Sequence, residues 1–123
     1  MNFVNMTPHA LNVFTGNGDN PGEVLTLPPS GNSVRVAQTF QPAGVMGGVS
    51  LYQAVYGNVE TIDNATKAVV GGLPQPVDGT VYVVSGQALE AVKASGRSDF
   101  AAPGELVRDD KGQPVGCNGL KVN

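Results

Sequence analysis

Three arginines are the residues of this chain best suited to bind a ligand. They are Arg35, Arg97 and Arg108, in a sequence of 123 residues of which only 14% are charged. A guanidinium group donates hydrogen bonds from a planar fork that matches phosphate and carboxylate oxygens. Alternatively, Arg97 forms a surface ion pair with Asp99, and Arg108 pairs with one of the two aspartates that follow it. Residue types alone leave both interpretations open.

Aromatic rings could complement these cations, because a flat ring can stack on a nucleotide base. The candidates are Tyr52, Tyr56, Tyr82 and Phe100. The alternative is that these rings fill the core, since a chain with four Phe, three Tyr and no Trp has few other large side chains for that purpose.

Catalysis has little support in the sequence. A triad of the Ser/His/Asp or Cys/His kind needs a histidine base, and His9 is the single histidine. Cys117 is the single cysteine, which excludes an internal disulfide and a cysteine-rich zinc site and favours a small buried side chain. The glycine-rich segments lack the strand–loop–helix context of phosphate-binding loops. The sequence therefore predicts no catalytic residue, no metal and no cofactor.

The charge balance narrows the range of partners. The net charge is −3, so no basic surplus is present to bind nucleic acid. No apolar stretch approaches the roughly 20 residues of a membrane span, and the first ten residues lack the basic start of a signal peptide. We expect a single domain, residues 1–123, that stays in the cytoplasm.

The distribution of 17 Gly and 9 Pro among valine-rich segments predicts short strands joined by turns. Strands are expected at 3–6, 11–14, 24–27, 33–40, 49–56, 59–62, 68–70, 80–85, 106–108 and 115–117. A long loop is expected at 16–22 and a loose crossing at 41–48. A helix at 87–94, capped by Ser85 and stopped by Gly96, completes a mostly β domain with one or two short helices near the C-terminus.

Three stretches of the chain resemble a family carried by tailed bacteriophages. Residues 5–13 (NMTPHALNV) resemble its N-x-T-P-H opening, and LPPSG at 27–31 followed by VRV at 34–36 resembles a second motif. The third match comprises TVYVVS at 80–85, RSD at 97–99, PGELVRD at 103–109 and the Gly-Cys pair at 116–117. The motifs are short but follow one another in order over most of the chain. The family is the first type of anti-Thoeris sponge.

This resemblance implies a function and an assembly. Such proteins perform no chemistry; they bind cyclic ADP-ribose isomers made by TIR enzymes, so that the Thoeris effector of the infected bacterium is not activated. Some members also bind cyclic oligonucleotides at a separate site and thereby blunt CBASS signalling. The implied fold is an antiparallel, decorated Greek-key β domain with short C-terminal helices. The implied assembly is a dimer or larger oligomer with pockets at the subunit interfaces.

The resemblance also implies roles for individual residues. Arg108 and Asp109 would contact phosphate and ribose, Tyr82 would stack on adenine, and Arg35 matches the strand arginine of the family as a further candidate ligand contact. Arg97 and Asp99 match an R-x-D motif that either binds ligand or forms an ion pair shaping its loop.

Two other functions stay open from the sequence. One is a phage structural or protein-interaction module whose oligomer is the functional object; it would keep the arginines and Tyr82 far apart, with no pocket among them. The other is an enzyme that cleaves such nucleotides, which a single histidine supports poorly.

Overall fold

The computed structural model describes residues 1–16 and 22–123. Within this part, the fold is mostly β, with one short helix, as the sequence predicts. The first strands are β1 (Asn2–Asn5), β2 (Leu11–Phe14), β3 (Val24–Leu27), β4 (Asn32–Met46) and β5 (Val49–Asp63). They are followed by β6 (Val69–Gly71), β7 (Thr80–Val83), helix α1 (Gly86–Val92), β8 (Phe100–Arg108) and β9 (Pro114–Lys121). None of the described helices has the length and apolar character needed to cross a membrane.

A six-stranded sheet in the order β1-β7-β8-β9-β2-β3 organises the body of the protein. The run at 80–85 predicts a buried central strand, and β7 lies between β1 and β8 with Val83 fully buried. Both of its neighbours run parallel to β7, and β2 is parallel to β9. The sheet is thus mixed, because the chain crosses over between these strands instead of turning back in hairpins.

Helix α1 confirms the predicted helix and its capping residues. The Ser85 side chain accepts a hydrogen bond from the Ala88 amide at 3.2 Å, and a 3-10 turn ends at Gly96 in the left-handed region (φ 73°). Ala88, Leu89 and Val92 are buried against β4 and β8. A helix of seven residues is unstable alone, so this packing holds it in place.

The predicted loose crossing at 41–48 is wrong. β4 and β5 form one long hairpin whose turn is Gly47-Gly48, and both glycines have positive φ, which a tight two-residue turn requires. Pro42 is tolerated inside β4 because a register shift follows it before Gly44. β6 pairs only with the base of β5, at Thr61 and Ile62. We call residues 37–58, where the hairpin extends beyond the body, the arm.

The other predicted strands each overlap a strand of the structure, but 49–56 and 59–62 form the single strand β5, and β8 begins at Phe100 instead of at 106. β3 ends before Pro28, and the turn at 109–112 joins β8 to β9. Of the loop predicted at 16–22, positions 17–21 lie outside the described residues. Thr15 and Glu23 on its two sides are hydrogen bonded, N to O, at 2.9 Å.

A buried asparagine joins the segments around the start of the arm. Asn5 is 2% exposed, and its amide nitrogen donates to the carbonyls of His9 and Leu27, both at 2.9 Å. Its side-chain oxygen accepts from the backbone N–H and the hydroxyl of Thr7. Its own carbonyl accepts from the backbone N–H and the hydroxyl of Ser30. One residue thereby ties β1 to the following turn, to β3 and to the segment that enters β4.

We expect Asn5→Ala to lower the free energy of unfolding by about 3 kcal/mol, because it leaves buried carbonyl and amide groups without partners. Urea denaturation followed by circular dichroism measures the change. Asn118→Ala is the matched control, since Asn118 is exposed on β9, and it should change stability by less than about 0.5 kcal/mol. Equal effects of the two substitutions would contradict the role of Asn5.

Candidate ligand-binding site

Arg35 stands at the base of the arm, and strand alternation decides where its side chain points. Val34 and Val36 face the helix side of β4, so Arg35 between them projects from the opposite face. Glu60 is its direct partner on β5, and the Arg35 Nε donates to Glu60 Oε1 at 2.8 Å. The Arg35 side chain is 48% exposed. In residues 1–16 and 22–123, its two Nη groups make no hydrogen bond, so they remain able to bind an anion.

Recesses adjoin Arg35 on both sides of β4. One, of about 310 Å³, is lined by Arg35 together with Gln38, Thr39 and Glu60, so hydrogen-bonding groups face it. The other, of about 200 Å³, is mostly apolar and lies against the segment Met6–Pro8. The start of β4 is held to the body by two hydrogen bonds. The Val34 amide donates to the Met6 carbonyl at 3.0 Å, and the Ser33 hydroxyl donates to Asn64.

Arg97 and Asp99 bind each other in the ion-pair arrangement that the sequence left open. Arg97 donates from Nε and Nη2 to the two carboxylate oxygens of Asp99 at 2.8 and 2.7 Å. Arg97 Nη2 also donates to the Pro74 carbonyl at 2.9 Å, and the guanidinium lies 5.0 Å from the centre of the Phe100 ring. These contacts fix the segment before β7 to the start of β8.

The same ion pair shifts both pKa values. Hydrogen bonds from Arg97 lower the pKa of the Asp99 carboxyl below its usual 3.8, and the bond to Asp99 raises the pKa of Arg97. In each case burial opposes the shift without reversing it.

Tyr82 belongs to the core in this structure. The residue is 7% exposed, its hydroxyl donates to the Gln75 carbonyl at 2.7 Å, and its ring centre lies 5.6 Å from that of Phe100. The ring therefore packs beside Arg97 and Asp99 without an open face for a base. Its predicted role in stacking on adenine stays a prediction that requires the surrounding segment to move.

Arg108 and Asp109 shape the turn between β8 and β9. Arg108 Nη1 donates to the Gly112 carbonyl at 2.7 Å. Asp109 Oδ1 accepts from the amides of Lys111 and Gln113, both at 2.9 Å, and thereby caps the turn. Both side chains belong to exposed residues, so a ligand could still reach them.

The candidate residues thus fall into three places. Arg35 is at the arm base, Arg97 and Asp99 lie beside the buried Tyr82, and Arg108 and Asp109 lie at the β8–β9 turn. Neither recess beside Arg35 is lined by a residue from the other two places. A groove of about 330 Å³ on β2, β8 and β9 is apolar and contains none of the candidates.

Sequence reasoning missed Glu60, Gln38 and Thr39 as neighbours of Arg35. One signal was available: no charged residue occurs at 36–59, and the charges that bound this run, Arg35 and Glu60, are equally distant from Gly47-Gly48. A hairpin turn at these glycines places the two charges opposite each other.

Groups with other chemistry take no part in this site. Among the described residues, no cluster of three His, Cys, Asp or Glu side chains could hold a metal. His9 is exposed, and Cys117 is buried with its Sγ 3.7 Å from the Asn12 carbonyl.

Comparison of the chain with protein-family models, curated proteins and solved structures gave no match.

We expect the Arg97–Asp99 pair to make stability depend on pH in one direction. Because the pKa of Asp99 is lowered in the folded state, the pair stabilises the fold above the ordinary aspartate pKa and loses this effect as the pH falls through the lowered value. Asp99→Asn should cost about 1 kcal/mol near neutral pH and progressively less in acid.

Urea denaturation at a series of pH values measures that difference. Asp78→Asn is the control, because Asp78 is exposed and forms no ion pair within the described chain. A cost of Asp99→Asn that stays constant down to the acid limit of folding would contradict the assignment.

Proposed function

We propose that this protein captures a small anionic nucleotide without cleaving it, and that Arg35 at the arm base contacts a phosphate of the ligand. The observation that carries the proposal is the state of its guanidinium group. Arg97 is engaged with Asp99 and Pro74. Arg108 binds Gly112 through Nη1 alone but lines none of the recesses described above. Arg35 binds Glu60 through Nε and keeps both Nη groups beside a recess.

The recess chemistry suits a phosphorylated sugar better than a nucleic acid. The Thr39 hydroxyl and the Gln38 amide can bond ribose hydroxyls, and Glu60 can accept from one while it holds Arg35 in place. A volume of about 310 Å³ is near the lower limit of ligand pockets, so a dinucleotide would extend beyond it.

The ligand class comes from the resemblance of residues 5–13, 27–36 and 80–117 to the anti-Thoeris sponges. We propose a cyclic ADP-ribose isomer as the ligand and the cytoplasm of an infected bacterium as the place of action. Sequestration there would keep a Thoeris effector inactive, and binding of cyclic oligonucleotides would blunt CBASS signalling. A sponge needs a roughly nanomolar Kd, about −12 kcal/mol of binding free energy, to act stoichiometrically.

Capture without cleavage is consistent with the positions of the reactive side chains. His9 is exposed on a turn away from the Arg35 recess lining, and the Cys117 thiol is buried in the body. Neither residue has a base or nucleophile partner within the described hydrogen bonds.

Calorimetric titration with cyclic ADP-ribose isomers tests the proposal. We expect saturable binding that Arg35→Ala weakens by about 100-fold or more, since a charge-assisted phosphate contact is lost. Lys67→Ala, at an exposed cation outside the recess, is the matched control and should leave the affinity unchanged. Chromatography after denaturation should return the ligand intact.

The Arg108→Ala variant tests whether the ligand contacts Arg35 alone or both arginines. A loss confined to Arg35→Ala places the site at the arm base, whereas equal losses for both variants mean that assembly brings the two arginines together. Absence of heat and of any thermal shift with every isomer would refute nucleotide capture.

A second candidate is a structural or protein-interaction module without a nucleotide pocket. It is favoured by the separation of the candidate residues and by the burial of the Tyr82 ring. Absence of binding together with a stable oligomer would support it over the sponge.

A further inference from the structure

The residues on either side of the turn of the arm are apolar on both faces of the ribbon. Met46 lies directly opposite Val49, so these two side chains share one face. Val45 points to the other face, because successive residues of a strand alternate. Val45 and Met46 are each 71% exposed, and Val49 is 62% exposed. The end of the arm is therefore an apolar surface that the body covers on neither side.

Farther from the turn, both faces become polar or amphipathic. Leu51 continues one apolar face, and the directly opposed Gln41 and Gln53 come next on it. On the other face the next large side chain is Tyr52, which is 62% exposed and combines an apolar ring with a polar hydroxyl. We call residues 44–52 the tip of the arm.

The tip is distant from the charged side chains of the strands that form it. Residues 36–59 contain no charge, and the nearest charged residues along the two strands are Arg35 and Glu60. Seven residues of strand separate Pro42 from Arg35, which is roughly 23 Å at 3.3 Å per residue. This distance exceeds twice the Debye length of about 8 Å at physiological ionic strength. The net charge of −3 therefore has little influence at the tip.

A lipid bilayer is the partner that fits this tip. A contiguous exposed apolar surface with a polar border is typical of sites that contact a protein or a membrane. A flat protein surface would cover one face and leave the other in water, whereas lipid contacts an inserted tip on both faces. Charged side chains are costly in lipid, and the tip contains none. Tyrosine is enriched at the headgroup level of membranes, which suits Tyr52 at the border of the tip.

The backbone of the arm limits how deeply it can enter. The two free edges of a ribbon carry polar groups that find no partner in hydrocarbon, so the arm cannot cross the core of a bilayer. From Gly47-Gly48 to Tyr52 the strand advances by four residues, or roughly 13 Å. Segments that lie in the membrane interface reach roughly 5–10 Å into it. Insertion to this depth takes in the apolar residues next to the turn and leaves most of both edges among headgroups and water.

We infer that the tip of the arm inserts shallowly into a zwitterionic lipid bilayer, with Val45, Met46 and Val49 below the headgroups and Tyr52 among them. The inference goes beyond the proposed function and does not depend on it, since Arg35 and its recess lie at the opposite end of the arm. Failure of nucleotide binding would leave it intact, and the reverse also holds.

Flotation with phosphatidylcholine vesicles tests the insertion. A tip of this size should bind more weakly than a single myristoyl chain, whose binding constant is about 10⁴ M⁻¹, so millimolar lipid is required. At about 5 mM lipid we expect most of the wild-type chain to float with the vesicles. Adding anionic lipid or raising the salt concentration should change the bound fraction by less than about twofold, because no charge takes part.

Val45→Glu and Val49→Glu test the two faces separately. Each should lower the bound fraction by about tenfold or more, because each places a charge in the membrane interface. Both positions are exposed beside the turn, so circular dichroism should show an unchanged fold. Val77→Glu is the matched control, since Val77 is 56% exposed on the body, and it should bind as the wild-type chain does.

Other outcomes would overturn the inference. A wild-type chain that does not float excludes insertion, and if that chain self-associates through the tip, the occupant is a second copy. Loss of binding for only one of the two glutamate variants would mean that the tip contacts a surface on one face only. Binding that requires anionic lipid and disappears in high salt would mean adsorption through charged groups of the body.

A fluorescence measurement reports the position of the tip directly. In a Cys117→Ser background, Ser50→Cys gives a single exposed thiol at the tip, and Asn58→Cys gives one at the base of the arm. With vesicles, an environment-sensitive dye at position 50 should shift its emission to the blue and become protected from aqueous iodide. The same dye at position 58 should show neither change. Equal responses at both positions, or none at position 50, would contradict shallow insertion of the tip.

Discussion

The structure depends on satisfying the polar groups around one buried side chain, Asn5. A buried amide is costly unless each of its hydrogen-bonding groups finds a partner, and here the partners are supplied by the turn at Thr7–His9 and by the end of β3. The same residue's carbonyl receives Ser30, two residues before β4 begins. Its environment therefore fixes where the arm leaves the body. The short N-x-T segment that supports the family resemblance has a structural role in this chain.

The arm continues the alternating pattern of β4 from the buried body into solvent. Alternation along β4 places Val34 in the core and Phe40 in solvent on the same face, because the register shift between Val36 and Gln38 puts its extra residue in β5. The change comes with distance from the body, since β4 is partly buried as far as Ala37 and exposed from Gln38 to Met46. A contiguous apolar face exposed in this way is typical of a surface that contacts another molecule. The recess beside Arg35 lies at the base of the arm and is lined by residues of both faces of β4, Arg35 and Thr39 from one and Val36 and Gln38 from the other.

The two ion pairs of the described residues have different roles. Arg97 and Asp99 close a bidentate pair that holds a loop, and they leave little donor capacity for a ligand. Arg35 and Glu60 meet through a single bond across the hairpin, which leaves donors available. An arginine and a carboxylate thus fix a loop where they form two hydrogen bonds, and they leave donors available for a ligand where they form one.

The sequence by itself determined the mostly β class, the helix with its Ser85 cap and the strand at 80–85, because each depends on local preferences of neighbouring residues. It did not determine the hairpin: glycines and Pro42 at 41–48 are equally typical of a loose loop, and only pairing over 15-residue strands makes them a turn and a bulge. Tertiary structure alone decided that Tyr82 is core and that Arg35 meets Glu60. Those contacts join residues far apart in sequence, whose proximity depends on register and burial rather than on local preference.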